Sequence, residues 1–186
     1  MKQEVQLKSG CVLLRPYTPN DVNDLYSAVH ESIKELSPWM PWCHEGYSLE
    51  ESRKWIGECA DNWEKELQYD FAIIEANNGS CLGGCGINNI SIKDRYANLG
   101  YWVRSTQTGK GIATTAASLL VQFGVKNLKL NRIEIVAAVG NKASQRVAMK
   151  VGATREGILR NRIIVHDRIH DAVMFSIIPS DFNIHR

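Results

Sequence analysis

Leu99-Gly100-Tyr101-Trp102-Val103, followed within three residues by Thr106-Gln107-Thr108-Gly109-Lys110-Gly111 and then by Ile112-Ala113-Thr114, is the stretch on which the fold turns. Its first part is apolar and aromatic, as a buried strand requires. Its last part opens a helical run in which Ala116, Leu119, Leu120, Phe123 and Leu128 recur at helical spacing. A strand thus feeds a glycine-rich loop, and the loop feeds the N-terminus of a long helix. Small residues at 109, 111 and 113 let successive backbone N–H groups converge on an anion, with the positive end of the helix behind them. A phosphate or pyrophosphate fits such a cradle. A Walker loop is excluded, because its lysine is followed by Ser or Thr whereas Lys110 is followed by Gly111. A dinucleotide fingerprint fits poorly, since Thr114 occupies its third glycine position and the motif lies past mid-chain. The same glycines equally serve a tight strand-to-helix turn, so the residues alone leave both readings open.

Elsewhere in the chain, strands are expected at Val12-Leu13-Leu14, Phe71-Ala72-Ile73-Ile74, Cys81 to Ile87, Ile133 to Ala137 and Ala172 to Ile178. Asn77-Asn78-Gly79 is hairpin chemistry and joins the second of these to the third. Val22, Leu25, Tyr26, Val29 and Ile33 predict an amphipathic helix that runs until Pro38. Ser48 with Glu51 three residues on predicts a capped helix to about Lys65. Asn141 to Val151 reads as a further helix, ended by Gly152-Ala153, and Arg160 to Arg168 as a strand followed by a loop. Hairpin-linked strands in the first half and strand–helix–strand in the second predict an α/β chain with a mixed sheet flanked by helices. With 186 residues and 44% hydrophobic content, one domain over 1–186 is expected.

A net charge of +2 with 23% charged residues provides no global field for nucleic acid or an acidic membrane surface, and neither partner is expected. Met1-Lys2-Gln3-Glu4-Val5 carries no apolar leader, no run has the length of a membrane span, and the cysteines number five. A reducing, cytoplasmic compartment with free thiols is the expectation. Cys43, His44, Cys81 and Cys85 lack the spacing of a metal knuckle, so no metal is expected.

Asn141 and Ser144 stand three apart at a helix start, where they can cap orphan amides or face a groove. Trp39, Met40 and Trp42 lie in a compact aromatic loop that either packs between two helices or lines an acceptor pocket, with His44 and Tyr47 at its mouth. Glu31, His44, Glu45 and His170 are scattered titratable groups, each a candidate general base or a solvated surface residue, and a water chain serves as well.

Residues 99–103, the loop 109–114, Asn141-Lys142-Ala143-Ser144 and Gly152-Ala153-Thr154-Arg155-Glu156-Gly157 together resemble the GNAT superfamily of N-acetyltransferases, and more narrowly its RimJ/RimL type. Leu14-Arg15-Pro16 and Trp39-Met40-Pro41-Trp42 extend the resemblance over most of the chain. It implies a central, mostly antiparallel mixed sheet flanked by helices and acetyl-coenzyme A as co-substrate. It implies that Tyr101, Trp102, Val103, Gln107, Thr108, Gly109, Lys110, Gly111, Ile112, Ala113, Thr114, Asn141 and Lys142 hold the coenzyme. Ser144 is implied as the hydrogen-bond donor to the departing sulfur, a role strengthened by the absence of tyrosine from Gln145 to Met149. Trp39, Met40, Trp42 and His44 are expected to meet the acceptor: a protein N-terminus, or a small amine. A coenzyme-binding module without turnover is the remaining class, and the molecule is expected as a monomer or homodimer. The chain departs from the family's loop pattern, which starts with Gln or Arg; Thr106 or Thr108 holds that position here, with Gln107 between them.

Overall fold

The computed structural model describes residues 5–181; Met1 to Glu4, read above for a leader, lie outside them, as do residues 182–186. Eight described strands form one sheet: β1 (Leu7–Ser9), β2 (Val12–Pro16), β3 (Tyr69–Glu75), β4 (Cys81–Ser91), β5 (Tyr96–Val103), β6 (Arg132–Ala138), β7 (Thr154–Val165) and β8 (Arg168–Ile177). Their spatial order is β1-β2-β3-β4-β5-β6-β8-β7, antiparallel throughout except between β5 and β6. The helices are α1 (Val22–Glu31), α2 (Ile33–Leu36), α3 (Leu49–Glu64), α4 (Ile112–Lys126) and α5 (Lys142–Lys150). The mixed, mostly antiparallel sheet flanked by helices is the architecture expected from the sequence.

The apolar periodicities end in two cores. Phe71, Ile73, Ile87, Leu99 and Ile133 pack with Ala116, Leu120 and Val121 of α4. Leu25 and Val29 of α1, Ile56 of α3, and Cys43 and Tyr47 of the intervening loop form the second cluster, against which Tyr17 and Trp102 pack. The capping box at α3 is made as its sequence predicts: the Glu51 amide donates to Ser48 Oγ at 3.3 Å, and the Ser48 amide donates to Glu51 Oε2 at 2.8 Å.

Two expectations need correction. The first helix is not continuous to Pro38, because Ser32 interrupts it at φ −109° and ψ 6°. Ser32 is fully buried; its hydroxyl donates to the Ala28 carbonyl at 2.7 Å and accepts the Ser105 amide at 2.9 Å, a contact made with the loop after β5. The second correction is β1, a strand absent from those expected. Three residues are too few to show a period, and pairing with β2 from Leu7↔Leu14 to Ser9↔Val12 makes them a strand.

The course of two central strands positions everything else. β5 and β6 pair only at Tyr96↔Arg132, Ala97↔Ile133 and Asn98↔Glu134. Beyond them β5 stays on β4 through Gly100↔Gly86 and Trp102↔Gly84, whereas β6 stays on β8. From Leu99 and Ile135 onward the two strands therefore part, and the facing edge of β5 keeps backbone groups that no ladder uses.

Candidate active site

The loop after β5 reaches α4 through two residues in the left-handed region, Gly109 at φ 78° and Gly111 at φ 80°. Gly111 is the N-cap of α4 and offers no side chain to the first-turn amides, which have no acceptor within the helix. A Cβ at either glycine would meet nothing within 4 Å, so the ground in front of these amides is open. Lys110 Nζ donates to Gln107 Oε1 at 2.7 Å, and Thr108 Oγ1 donates to the Ser105 carbonyl at 2.9 Å. Gly109, Lys110 and Gly111 are exposed, whereas Ile112 is buried in the core and presents only its backbone. Thr106, at the first position of the family's loop pattern, donates instead to Glu31 Oε1 at 2.5 Å. These residues fit a diphosphate: free amides, a helix dipole, no intruding side chain and one lysine.

A cavity of about 560 Å³ runs through the gap between β5 and β6. Its wall includes Leu99 to Trp102 from β5, Ile135 to Ala138 from β6, and Asn141 and Ser144 at the start of α5. Asn141 caps α5, its Oδ1 accepting the Ser144 amide at 3.0 Å, and it lines the cavity as well; the two roles are compatible. The Tyr101 hydroxyl donates to the Ser144 carbonyl at 2.9 Å and lies 3.2 Å from Ser144 Oγ. The serine hydroxyl is thus held in place by a tyrosine from the opposite wall. Burial pushes the Tyr101 phenol up to about 12, which keeps it neutral. Gln145 fastens the other wall, donating to the Ala138 carbonyl at 3.1 Å and the Val139 carbonyl at 2.8 Å. Gln145 is not among the site residues expected from the sequence, although an amide one turn into a helix beside a strand end is a recognisable tether.

Across the sheet, Trp39, Met40, Trp42 and Tyr47 line the same cavity. Trp42 stands edge-on to Trp102 with ring centroids 5.9 Å apart, and it is 41% exposed, so the aromatic loop forms a wall rather than a closed core. His44 does not line the cavity; its Nε2 lies 2.8 Å from Glu51 Oε1, and Glu51 is on the wall in its place. Lys142 is exposed, and Val103 and the glycine loop lie outside the cavity wall.

None of the four candidate bases lines the cavity. Glu31 is bound by Arg104 and Thr106, which hold its carboxyl down at about 2, too low to take a proton from an amine. The carboxylate that sequence reading missed is Asp70 of β3, only 6% exposed and on the cavity wall. Burial pushes it up to about 6 against an ordinary 3.8, while Gln68 and Cys59 donate to it and hold it back. Between those values the folded chain keeps a proton that the unfolded chain has lost, so stability falls as pH rises from about 4 to 6. Asp70→Asn should remove that penalty and raise stability at pH 8 by about 1–3 kcal/mol. Chemical denaturation of both proteins at pH 4 and pH 8 measures it; the gain should be absent at pH 4. Among the described residues no group of three or more His, Cys, Asp or Glu is placed to hold a metal. No described helix is long and apolar enough to cross a membrane.

The chain is similar to known proteins over most of its length. The GNAT acetyltransferase domain family matches residues 12–154. YdaF of Bacillus subtilis, named as a candidate ribosomal N-acetyltransferase, is 29% identical over 174 residues, covering 92% of this chain and 93% of its own. The ribosomal-protein-serine acetyltransferase of Escherichia coli is 24% identical over 163 residues, covering 88% of this chain and 90% of its own. Among solved structures, RimL, a ribosomal L7/L12 α-N-protein acetyltransferase in complex with coenzyme A, superposes with a TM-score of 0.86 at 23% identity, covering 94% of this chain and 98% of that one, and shares the fold. The family match spans the parted strands, the glycine loop and the Asn141–Ser144 turn: the chain belongs to the GNAT family of acetyl-coenzyme A-dependent N-acetyltransferases.

Proposed function

We propose that the chain acetylates the N-terminal amine of a protein, of the ribosomal-protein type, by direct attack of that amine on the thioester. The observation that carries the reading is a cavity open between the Ser144 side of the sheet and the aromatic-loop side, so that donor and acceptor can meet from opposite faces. The name of the Escherichia coli relative supports the acceptor class. Such an acceptor places the enzyme in the cytoplasm, where the free thiols Cys11, Cys43, Cys59, Cys81 and Cys85 would stay reduced.

The coenzyme supplies an activated acetyl thioester. The amides from Gly109 to Thr114 and Lys110 hold its diphosphate, and Asn141 faces its pantetheine arm. The unpaired β5 edge near Tyr101 to Val103 donates to the acetyl oxygen as charge develops there. Ser144, oriented by Tyr101, donates to the departing sulfur. Ser144→Ala should lower kcat by roughly 10- to 100-fold while leaving acetyl-coenzyme A affinity within about threefold. Steady-state kinetics paired with calorimetry reads both quantities; unchanged kcat removes Ser144 from the chemistry.

Glu51, Glu58 and Asp70 on the cavity wall, opposed by Lys54, favour a second reading, a small cationic amine as acceptor. A screen of ribosomal-protein N-terminal peptides against polyamines and amino acids, scored by thiol release and product mass, separates the two. No thiol release with any amine in the panel would leave only a coenzyme-binding role.

A further inference from the structure

Asp70 begins a lane across the sheet. It stands directly opposite Gly86 on β4, and Gly86 stands directly opposite Gly100 on β5. Residues in register point to the same face, so two side-chain-free positions lead from the carboxylate to the place where β5 leaves β6. Two strand spacings make that path about 10 Å. The carboxylate already covers part of it, because Asp70 Oδ1 lies 2.5 Å from where a Cβ on Gly86 would stand. At Gly100 a Cβ would meet only Asn88 Nδ2, at 4.0 Å, so the far end is open. Asp70, Gly86 and Gly100 all line the cavity.

The partners of Asp70 are neutral: Gln68 Nε2 donates to Oδ2 at 2.7 Å, and the Cys59 thiol donates as well. Among the described residues no lysine or arginine pairs with it. A carboxylate so deeply buried and so lightly held is stabilised best by a cation arriving from the cavity.

We propose that Asp70 receives the ammonium group of the acceptor and takes its proton, so that a neutral amine crosses Gly86 and Gly100 to the reacting carbonyl at the β5–β6 gap. This rests on the acetyl-transfer reading above. Asp70 gains one proton from nitrogen and later releases it to solvent. The nitrogen lone pair forms the new C–N bond, the C–S bond breaks with its electrons on sulfur, and the second nitrogen proton balances the one sulfur acquires. One proton leaves per amide formed.

The neighbouring titratable groups leave this task to Asp70. Cys59 on α3, Cys85 on β4 and Tyr17 after β2 are all pushed up by burial and stay neutral. Glu58, Glu51 and Lys54, also from α3, stand on the same wall. Asp70 itself is raised to about 6, poised to change charge near neutrality.

Asp70→Asn, a near-isosteric change, tests this. With an ammonium acceptor, kcat/KM at pH 7 should fall by roughly 100-fold, and the acidic limb near pH 6 should vanish. With hydroxylamine or methoxyamine, both largely neutral at that pH, the loss should stay within about threefold. Calorimetry on protein saturated with coenzyme A should show roughly tenfold weaker binding of the ammonium acceptor to the variant, a readout that needs no turnover. Equal kcat/KM, a persisting acidic limb, unchanged acceptor binding, or an equal loss with the neutral nucleophiles would overturn the assignment. A wild-type protein that transfers acetyl to no amine would instead overturn the acetyl-transfer reading, with the binding measurement still reporting on Asp70.

Discussion

Gly111→Asp should weaken acetyl-coenzyme A binding by about 100-fold while the chain stays folded. A Cβ at this position would meet nothing within 4 Å, so bulk alone does not damage the core. Its φ of 80° is left-handed, a region that Asp and Asn enter more readily than other side chains. The damage comes from charge. An added carboxylate stands at the N-cap of α4, in front of the amides proposed to hold the diphosphate. Two unit charges about 4 Å apart repel by roughly 1–4 kcal/mol between bulk water and a protein surface, which brackets a hundredfold loss. Gly111→Asn carries the same shape without the charge and should lose less than about tenfold. Calorimetric titration of both variants at low and high salt separates the terms, because only the aspartate penalty should shrink with screening. Equal affinities for wild type and the aspartate variant would move the coenzyme elsewhere.

Gly83→Ala should cost about 3 kcal/mol and lower Tm by roughly 6–12 °C. Gly83 sits at φ 151°, where the β3–β4 register shifts so that Ile73 faces Gly83 and Ile74 faces Cys81. A Cβ there would stand 2.2 Å from the Trp102 carbonyl oxygen and 2.9 Å from the Val103 Cα, both backbone atoms of β5. Neither can rotate away, so β4 or β5 must shift. Gly79→Ala is the control, since Gly79 also has positive φ, 76°, but nothing lies within 4 Å of its Cβ. It should cost only the left-handed backbone strain of about 1–2 kcal/mol, with no clash added. A thermal scan of the two variants reads the difference. The Gly83 variant should also lose activity, because the strand it displaces forms a wall of the cavity.

What the sequence made legible was local. Ser48 and Glu51 announce α3 because the capping box is complete within four residues. The glycine loop announces α4 because the turn and the helix start are contiguous. The break at Ser32 was hidden, since it is completed by the Ser105 amide, 73 residues along the chain. The parting of β5 from β6 was hidden for the same reason: each strand has an ordinary apolar pattern, and only their partners show where they separate. Asp70 escapes notice because, just ahead of Phe71-Ala72-Ile73-Ile74, it reads as a solvated strand end. Its burial and its alignment with Gly86 and Gly100 are properties of register across three strands. Tyr101 draws attention for its strand and Ser144 for its helix, and neither segment reveals that the two hydroxyls lie 3.2 Å apart.

The parting of β5 and β6 has a consequence for the order of events in turnover. A site reached from both faces of a sheet lets two reactants be resident together, one on the α5 side and one under the aromatic loop. No stored acyl group is then required on the protein, and the first product need not depart before the second reactant arrives. Initial rates measured against one substrate at several fixed levels of the other should give intersecting reciprocal lines, the pattern of a ternary complex, rather than the parallel lines of a double displacement.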